Sequence, residues 1–407
     1  MTVGSTATDI EQAGSSHAVI AGVITAIVGF TSSFAVVLTG LRAVGATGDQ
    51  AASGLLVLCV LMGAGSILFS WRLRMPITMA WSTPGAALLA SSTTPDRGFG
   101  AAVAAFGVTG VLIALCGIVR PLSAAVAAIP RALANAMLAG VLLTLCLAPF
   151  RALSVSPAAI APVLLSWLIL MRFARRWAVP GALVAALVVI VSSGSLSHLA
   201  GARLTPNVTI VAPAWEPATI LAIALPLFLV TMTSQNIPGM AVLSSFGYRP
   251  PLAPLFYTGG ATLLGAFAGG HAINLAAISA ALAAGPSAHP NPGRRWIAGV
   301  TAGIGYVLLG PASALVAAVS EAAPAGIMAT IAGLALIGTF AAAAGSALAD
   351  GKHREAAGIT FLVAASGVAF GGIGAAFWGL LAGGLYIGVT QRRGTRTANR
   401  LRNRSSS

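Results

Sequence analysis

Charge is what this sequence has least of. Asp and Glu together number 8 in 407 residues, and charged residues of both signs make up 7% of the chain, against about 25% in an ordinary soluble domain. Too few ionic groups are present to cover a globule in water. With 57% hydrophobic residues, the chain needs lipid as its solvent. The shortage of carboxylates also leaves no carboxylate pair within any apolar run. A Walker A sequence, a His-Glu-x-x-His and a Gly-x-Ser-x-Gly are missing too, so neither ATP hydrolysis nor hydrolase chemistry has a motif to rest on. No enzyme, no cofactor and no metal site is expected. Cysteine is equally scarce: Cys59, Cys116 and Cys146 each sit inside an apolar run, without the close pairing of a zinc site, and read as small buried hydrophobes.

The charge that is present is basic, a net +14. It is scattered singly between apolar runs, with one cluster at the C-terminus, which speaks for membrane topology rather than nucleic acid. The first sixteen residues carry Asp9 and Glu11 but no Lys or Arg, so they lack the basic region of a cleavable signal, and insertion should start from the first helix.

Apolar runs of spanning length lie near residues 18–41, 51–69, 99–119, 133–147, 158–171, 179–192, 218–243, 296–319, 327–348, 356–368 and 375–389. Two regions are irregular. Residues 75–90 form a short run beginning at Pro76, with Thr78, Ser82, Thr83, Pro84 and Gly85 in its middle, which predicts a broken segment. Residues 255–284 are too long for one untilted span and are cut at Gly269-Gly270-His271, which predicts a full span followed by a short one. The total is about fourteen segments. With the N-terminus inside, all of the 22 Lys and Arg except Arg42, Arg97, Arg151 and Arg203 fall on the inner side, as the positive-inside rule requires.

Sliding the chain on itself by about 194 residues sets Ile129-Pro130-Arg131 beside Ala323-Pro324-Ala325, and the broken segment at Pro76 beside the one at Gly270. Each half then holds seven segments. Seven is odd, so the second half enters the membrane upside down, an inverted repeat. The expected division is a cytoplasmic N-terminal tail 1–17, a first repeat 18–195, a periplasmic linker 196–217, a second repeat 218–390 and a basic cytoplasmic tail 391–407. The fold class is an all-α polytopic membrane protein with two half-helix segments.

Backbone that is neither helix nor closed barrel persists in a bilayer only where protein or a water-filled cavity satisfies it. The two broken segments therefore mark the expected site. Thr78 leads into Trp81, Ser82 and Thr83; His271 leads into Asn274. Two half-helix N-termini converging near the midplane present free N–H groups to an anion. In the eighth segment, Ser234, Gln235 and Asn236 stand before Pro238-Gly239 and are expected to face substrate. Phe30 and Ser33 are their first-half counterparts. His271 is the candidate for proton coupling because an unperturbed imidazole changes its charge near neutral pH, and Glu321 and Asp350 fall at segment ends. Without an ATPase motif, transport must draw on a gradient.

The runs Thr233-Ser234-Gln235-Asn236-Ile237-Pro238-Gly239 and Gly269-Gly270-His271-Ala272-Ile273-Asn274-Leu275-Ala276 resemble signatures of the bacterial benzoate/proton symporter family. Pro76–Gly85 and Ala376-Phe377-Trp378-Gly379 add to the likeness, which runs from the first helix to the fourteenth. The resemblance implies the seven-plus-seven fold shared with uracil and sulfate transporters. Segments one to four and eight to eleven would form a core, the others a gate. It implies import of benzoate, or a similar aromatic carboxylate, with a proton across the bacterial inner membrane. Both termini would be cytoplasmic, no nucleic acid partner is expected, and a homodimer is compatible with it. Related folds often place an acidic residue on the eighth segment, where this chain has Gln235 and Asn236. Another small anion or a nucleobase on the same fold, or a passive anion channel, are the alternatives.

Overall fold

The computed structural model of the protein describes residues 14–195, 204–370 and 373–404. Residues 1–13 of the expected N-terminal tail, residues 196–203 of the expected linker including Arg203, and residues 405–407 lie outside the described residues. Among the described residues, eight helices are long and apolar enough to cross a membrane, and Pro157–Phe173 and Ala375–Thr390 are shorter apolar helices.

In the first half, α1 (Ser16–Thr31) and α2 (Phe34–Ala43) make one segment broken at Ser32-Ser33, followed by α3 (Gly48–Leu73). Strand β1 (Met79–Trp81) runs into the short α4 (Thr83–Ala90); then come α5 (Phe99–Ile118), the short α6 (Arg120–Ala127), α7 (Arg131–Val155), α8 (Pro157–Phe173) and α9 (Ala178–Ser192). The second half repeats the order. One helix, α10 (Pro217–Ser245), contains two π-turns, at Ile220–Ala224 and Met232–Asn236. It is followed by α11 (Ala253–Ala266), β2 (Ile273–Leu275), α12 (Ile278–Ala284), α13 (Trp296–Leu309), α14 (Ser313–Ala322), α15 (Ile327–Ala349), α16 (Arg354–Ala365) and α17 (Ala375–Arg404).

Local chemistry fixes the ends. Thr47 and Gln50 form a capping box that starts α3, and Arg74 in the left-handed region ends it. After α11, Gly269 takes φ +87, a conformation that side chains disfavour. There its N–H donates to the Ala266 carbonyl while that of Gly270 donates to the Gly265 carbonyl. This is the Schellman arrangement that turns a helix end into extended chain.

Packing obeys the repeat. α11 lies against α5, and their mates α3 and α13 lie against each other; α8 lies against α9, and α16 against α17; α7 meets α16, and α15 meets α8. Every one of these contacts maps onto another when each segment is advanced by seven. The two strands pair antiparallel, Met79 with Leu275, Ala80 with Asn274 and Trp81 with Ile273. The middle pair joins residues that the sequence shift equates, so the pseudo-two-fold axis passes between Ala80 and Asn274. Contacts are dense within segments one to four and eight to eleven, and within five to seven and twelve to fourteen. They are sparse between the two groups.

The half-helices begin later than the sequence predicts. Trp81 and Asn274 are extended, and helix starts at Thr83 and Ile278, because the two extended stretches bond to each other instead of turning at once into helix. Arg74 stacks on Trp296 at 4.1 Å, tying the loop after α3 to the start of α13 on the arginine-rich face. On the opposite face Arg42 pairs with Glu321 at 3.0 Å.

Candidate functional site

A two-stranded sheet buried at membrane depth has two open edges, and unpaired N–H groups there are costly. Here side chains of neighbouring helices accept three of the outward N–H groups. Ser66 of α3 accepts the Met79 N–H at 2.8 Å, and Thr262 of α11 accepts the Ile273 N–H at 2.9 Å, the same contact in each half. Ser70 donates to the Ile77 carbonyl. Asn236, on the π-turn of α10, accepts the Leu275 N–H at 2.8 Å and donates to the Met232 sulfur.

Ser82 joins three elements. Its hydroxyl accepts from the Gly85 N–H and so caps α4, and also accepts from the Thr231 hydroxyl. Its N–H donates to the Ala272 carbonyl. Its carbonyl accepts from His271 Nε2 at 3.1 Å. A carbonyl can only accept, so Nε2 carries the proton, and Nδ1 is a buried atom with no partner. The His271 ring is fully buried and meets Phe106 edge-on.

Three cavities follow the boundary between the two groups of segments. The middle one, of about 130 Å³, lies where the strands cross. Ser33, Trp81, Thr83, Gln235, Ser279 and Tyr306 contribute to its wall from core segments, while Ala335 and Thr339 of α15 close the gate side. Trp81 donates through Nε1 to the Ser33 hydroxyl at 2.9 Å, and its ring stands 6.5 Å from that of Tyr306. Cavities on the order of 150 Å³ hold one benzene ring. A larger cavity of about 670 Å³ shares Pro84, Gln235 and Thr339 with the first and extends past Ser234 to Arg131, Ser245 and Ser346 at the arginine-rich face. The third, about 230 Å³, is lined by Thr93, Asp96 and Glu216 on the opposite face and shares no lining residue with the middle one. The middle cavity therefore adjoins the one that reaches the arginine-rich side, and not the one on the opposite face.

Of the residues that the sequence singles out, Ser33, Trp81, Thr83 and Gln235 come together in the cavity wall. Ser234 lines the larger cavity and bonds back to the Val230 carbonyl. Phe30 backs Trp81 with ring centroids 5.8 Å apart. Thr78, Ser82, Asn236, His271 and Asn274 are buried behind the wall. The Thr78 hydroxyl and Asn274 Oδ1 have no partner, although Asn274 Nδ2 donates to the Leu275 carbonyl. Glu321 and Asp350 lie away from all of this. The His353 imidazole, 2.7 Å from Asp350, holds that carboxyl below the usual carboxylate range. Sequence reasoning missed Ser279, Tyr306 and Thr339. A tyrosine in an unbroken helix and a threonine in a gate helix carry no local signal, although Ser279 follows the break that the Gly-Gly-His run announced.

Over residues 12–389 the chain matches the family described as benzoate membrane transport protein. It is 37% identical over 367 residues to the inner membrane protein YdcO of Escherichia coli (strain K12), covering 90% of this chain and 94% of that one. To the benzoate membrane transport protein of Acinetobacter baylyi it is 32% identical over 375 residues, covering 92% and 95%. Among solved structures, the transmembrane domain of the cyanobacterial bicarbonate transporter BicA superposes with a TM-score of 0.57 at 16% identity, over 89% of this chain and 96% of that one. The structure of SLC26A9 superposes with 0.62 at 10% identity, over 91% and 65%. These structural likenesses bear on the fold alone, and both neighbours have the seven-plus-seven inverted repeat.

Proposed function

The chain belongs to the benzoate membrane transport protein family, and from that premise we propose that it carries benzoate, or a similar aromatic carboxylate, inward together with a proton. The observation that supports this most is the middle cavity. Its volume suits one ring, Trp81 and Tyr306 contribute to its wall, and its polar groups are hydroxyls, the Trp81 indole and the Gln235 amide. Ser33, Trp81, Thr83 and Gln235 contact the substrate. Phe30, Thr78, Ser82, Ser234, Asn236, His271 and Asn274 hold or flank the wall. Residues 18–195 and 218–390 act as the two repeats, and the arginine-rich face, with both termini, is cytoplasmic.

Transport then proceeds by alternating access. The core carries the strands and most of the wall, and α15 supplies the rest. Sliding of the core against the gate exchanges the large cavity on one face for the cleft on the other. In reconstituted vesicles the protein should accumulate labelled benzoate when the outside is made acidic, and should stop when a protonophore dissipates the gradient. Equilibration without accumulation under that gradient would make the protein a passive pathway instead.

A further inference from the structure

Among the described residues, the wall of the middle cavity carries no charged side chain to pair with a carboxylate. Its polar wall side chains are the hydroxyls of Ser32, Ser33, Thr83, Ser279, Thr339 and Tyr306, the Trp81 indole and the amide of Gln235. The elements packed around it add little. Among the described residues α1, β1, α4, α10, α12 and α15 present no acidic or basic side chain to it. From α3 comes Cys59, buried, and from α13 only Tyr306. His271 precedes β2 but lies outside the wall, its Nε2–H engaged by the Ser82 carbonyl and its ring against Phe106. The nearest guanidinium on the exit path is Arg131, which is exposed at the mouth of the large cavity.

An ionised carboxylate moved from water into such surroundings loses its hydration and finds no ionic partner; the first turns of α4 and α12, which reach the wall at Thr83 and Ser279, supply only partial charges, so the protonated form is favoured. The protonated acid also fits the donors better. A carboxylic acid has one O–H and one C=O, and the Gln235 amide has one C=O and one N–H in the complementary order. The acid O–H can donate to Gln235 Oε1 while Gln235 Nε2–H donates to the acid carbonyl. Ser33 already accepts from Trp81 and donates to the Gly29 carbonyl, so it has little left to give an anion.

Resting on the function proposed above, we propose that the co-transported proton travels on the substrate itself, so that the cavity holds the neutral aromatic acid and no side chain of the protein need titrate. On the outer side a carboxylate takes one proton from water; in the large cavity, which is open to water and carries Arg131, it gives that proton back. One carboxylate and one proton cross together, and no net charge moves.

The sign of the pH dependence follows. The carboxyl has a higher pKa bound than free, so binding is strongest below the free acid's pKa and weakens by about tenfold for each pH unit above it. The test is competition for labelled benzoate on the purified full chain at about pH 5.5 and about pH 7.5. Benzoate affinity should fall on the order of a hundredfold across that range. Benzamide, neutral with the same donor and acceptor order, should compete equally at both. Benzenesulfonate, which stays ionised, should not compete at either. His271→Gln, which keeps a donor for Ser82 but cannot titrate, should retain the benzoate slope. A sulfonate that competes with the slope of benzoate would place the proton on the protein and overturn the proposal. So would failure of benzamide to compete at about pH 5.5, or loss of the slope in a folded His271→Gln. If wild-type protein binds no benzoate at any pH, the substrate assignment has failed, and that outcome is distinct from all of these.

Discussion

Gln235 and Asn236 are neighbours in the chain, yet the structure gives them separate duties. Adjacent residues of a helix point in different directions, so only one of the two can face the cavity. Gln235 lines it, while Asn236 is fully buried and holds β2 through the Leu275 N–H. The two alanine variants should therefore part. Gln235→Ala removes a pair of neutral hydrogen bonds worth about 0.5–1.5 kcal/mol each, so benzoate binding should weaken on the order of tenfold with the melting temperature unchanged. Asn236→Ala leaves a buried N–H unpaired at a cost of about 1–3 kcal/mol and should lower the melting temperature in detergent. A Gln235→Ala protein that melts early and binds normally would reverse these assignments. The sequence marked both residues, because polar groups at membrane depth stand out. It did not separate them, because their directions depend on the π-turn at Met232–Asn236.

At the scale of elements, the sequence shows that two segments are broken but not how far each break extends. Pro76 and the Gly269-Gly270 pair are local signals. The pairing of Met79–Trp81 with Ile273–Leu275 is not, since it joins halves of the chain that no short motif relates. The edge acceptors were equally hidden. Ser66 and Thr262 look like ordinary helix hydroxyls, and each does donate to the carbonyl four residues back. Each hydroxyl oxygen also accepts a strand N–H from the paired sheet. Thr262→Val keeps the shape and deletes the acceptor, so it should cost about 1–3 kcal/mol of stability, while Thr262→Ser should stay near wild type. Equal melting temperatures for Val and Thr at this position would mean that the Ile273 N–H is satisfied by another group.

For the whole molecule, the segment count, the repeat and the arginine asymmetry were legible because lipid forces long apolar runs and insertion sorts positive charge. Which gate helix closes the site was not legible, since α15 is an uninterrupted span whose Thr339 differs in no local way from other buried hydroxyls. The arrangement of the cavities now gives the orientation a direct test. Ser346 is exposed in the large cavity on the arginine-rich face, and Thr93 is exposed in the cleft on the other. The native cysteines are all buried, so they should add little background when single cysteines are placed at either position. With the arginine-rich face cytoplasmic, a membrane-impermeant maleimide should label Thr93→Cys in intact cells and Ser346→Cys only in inside-out vesicles. The reverse pattern would invert the protein in the membrane. Labelling of both positions in intact cells would mean that both cavities open to the same side, and an alternating-access pathway through the strand crossing could not then stand.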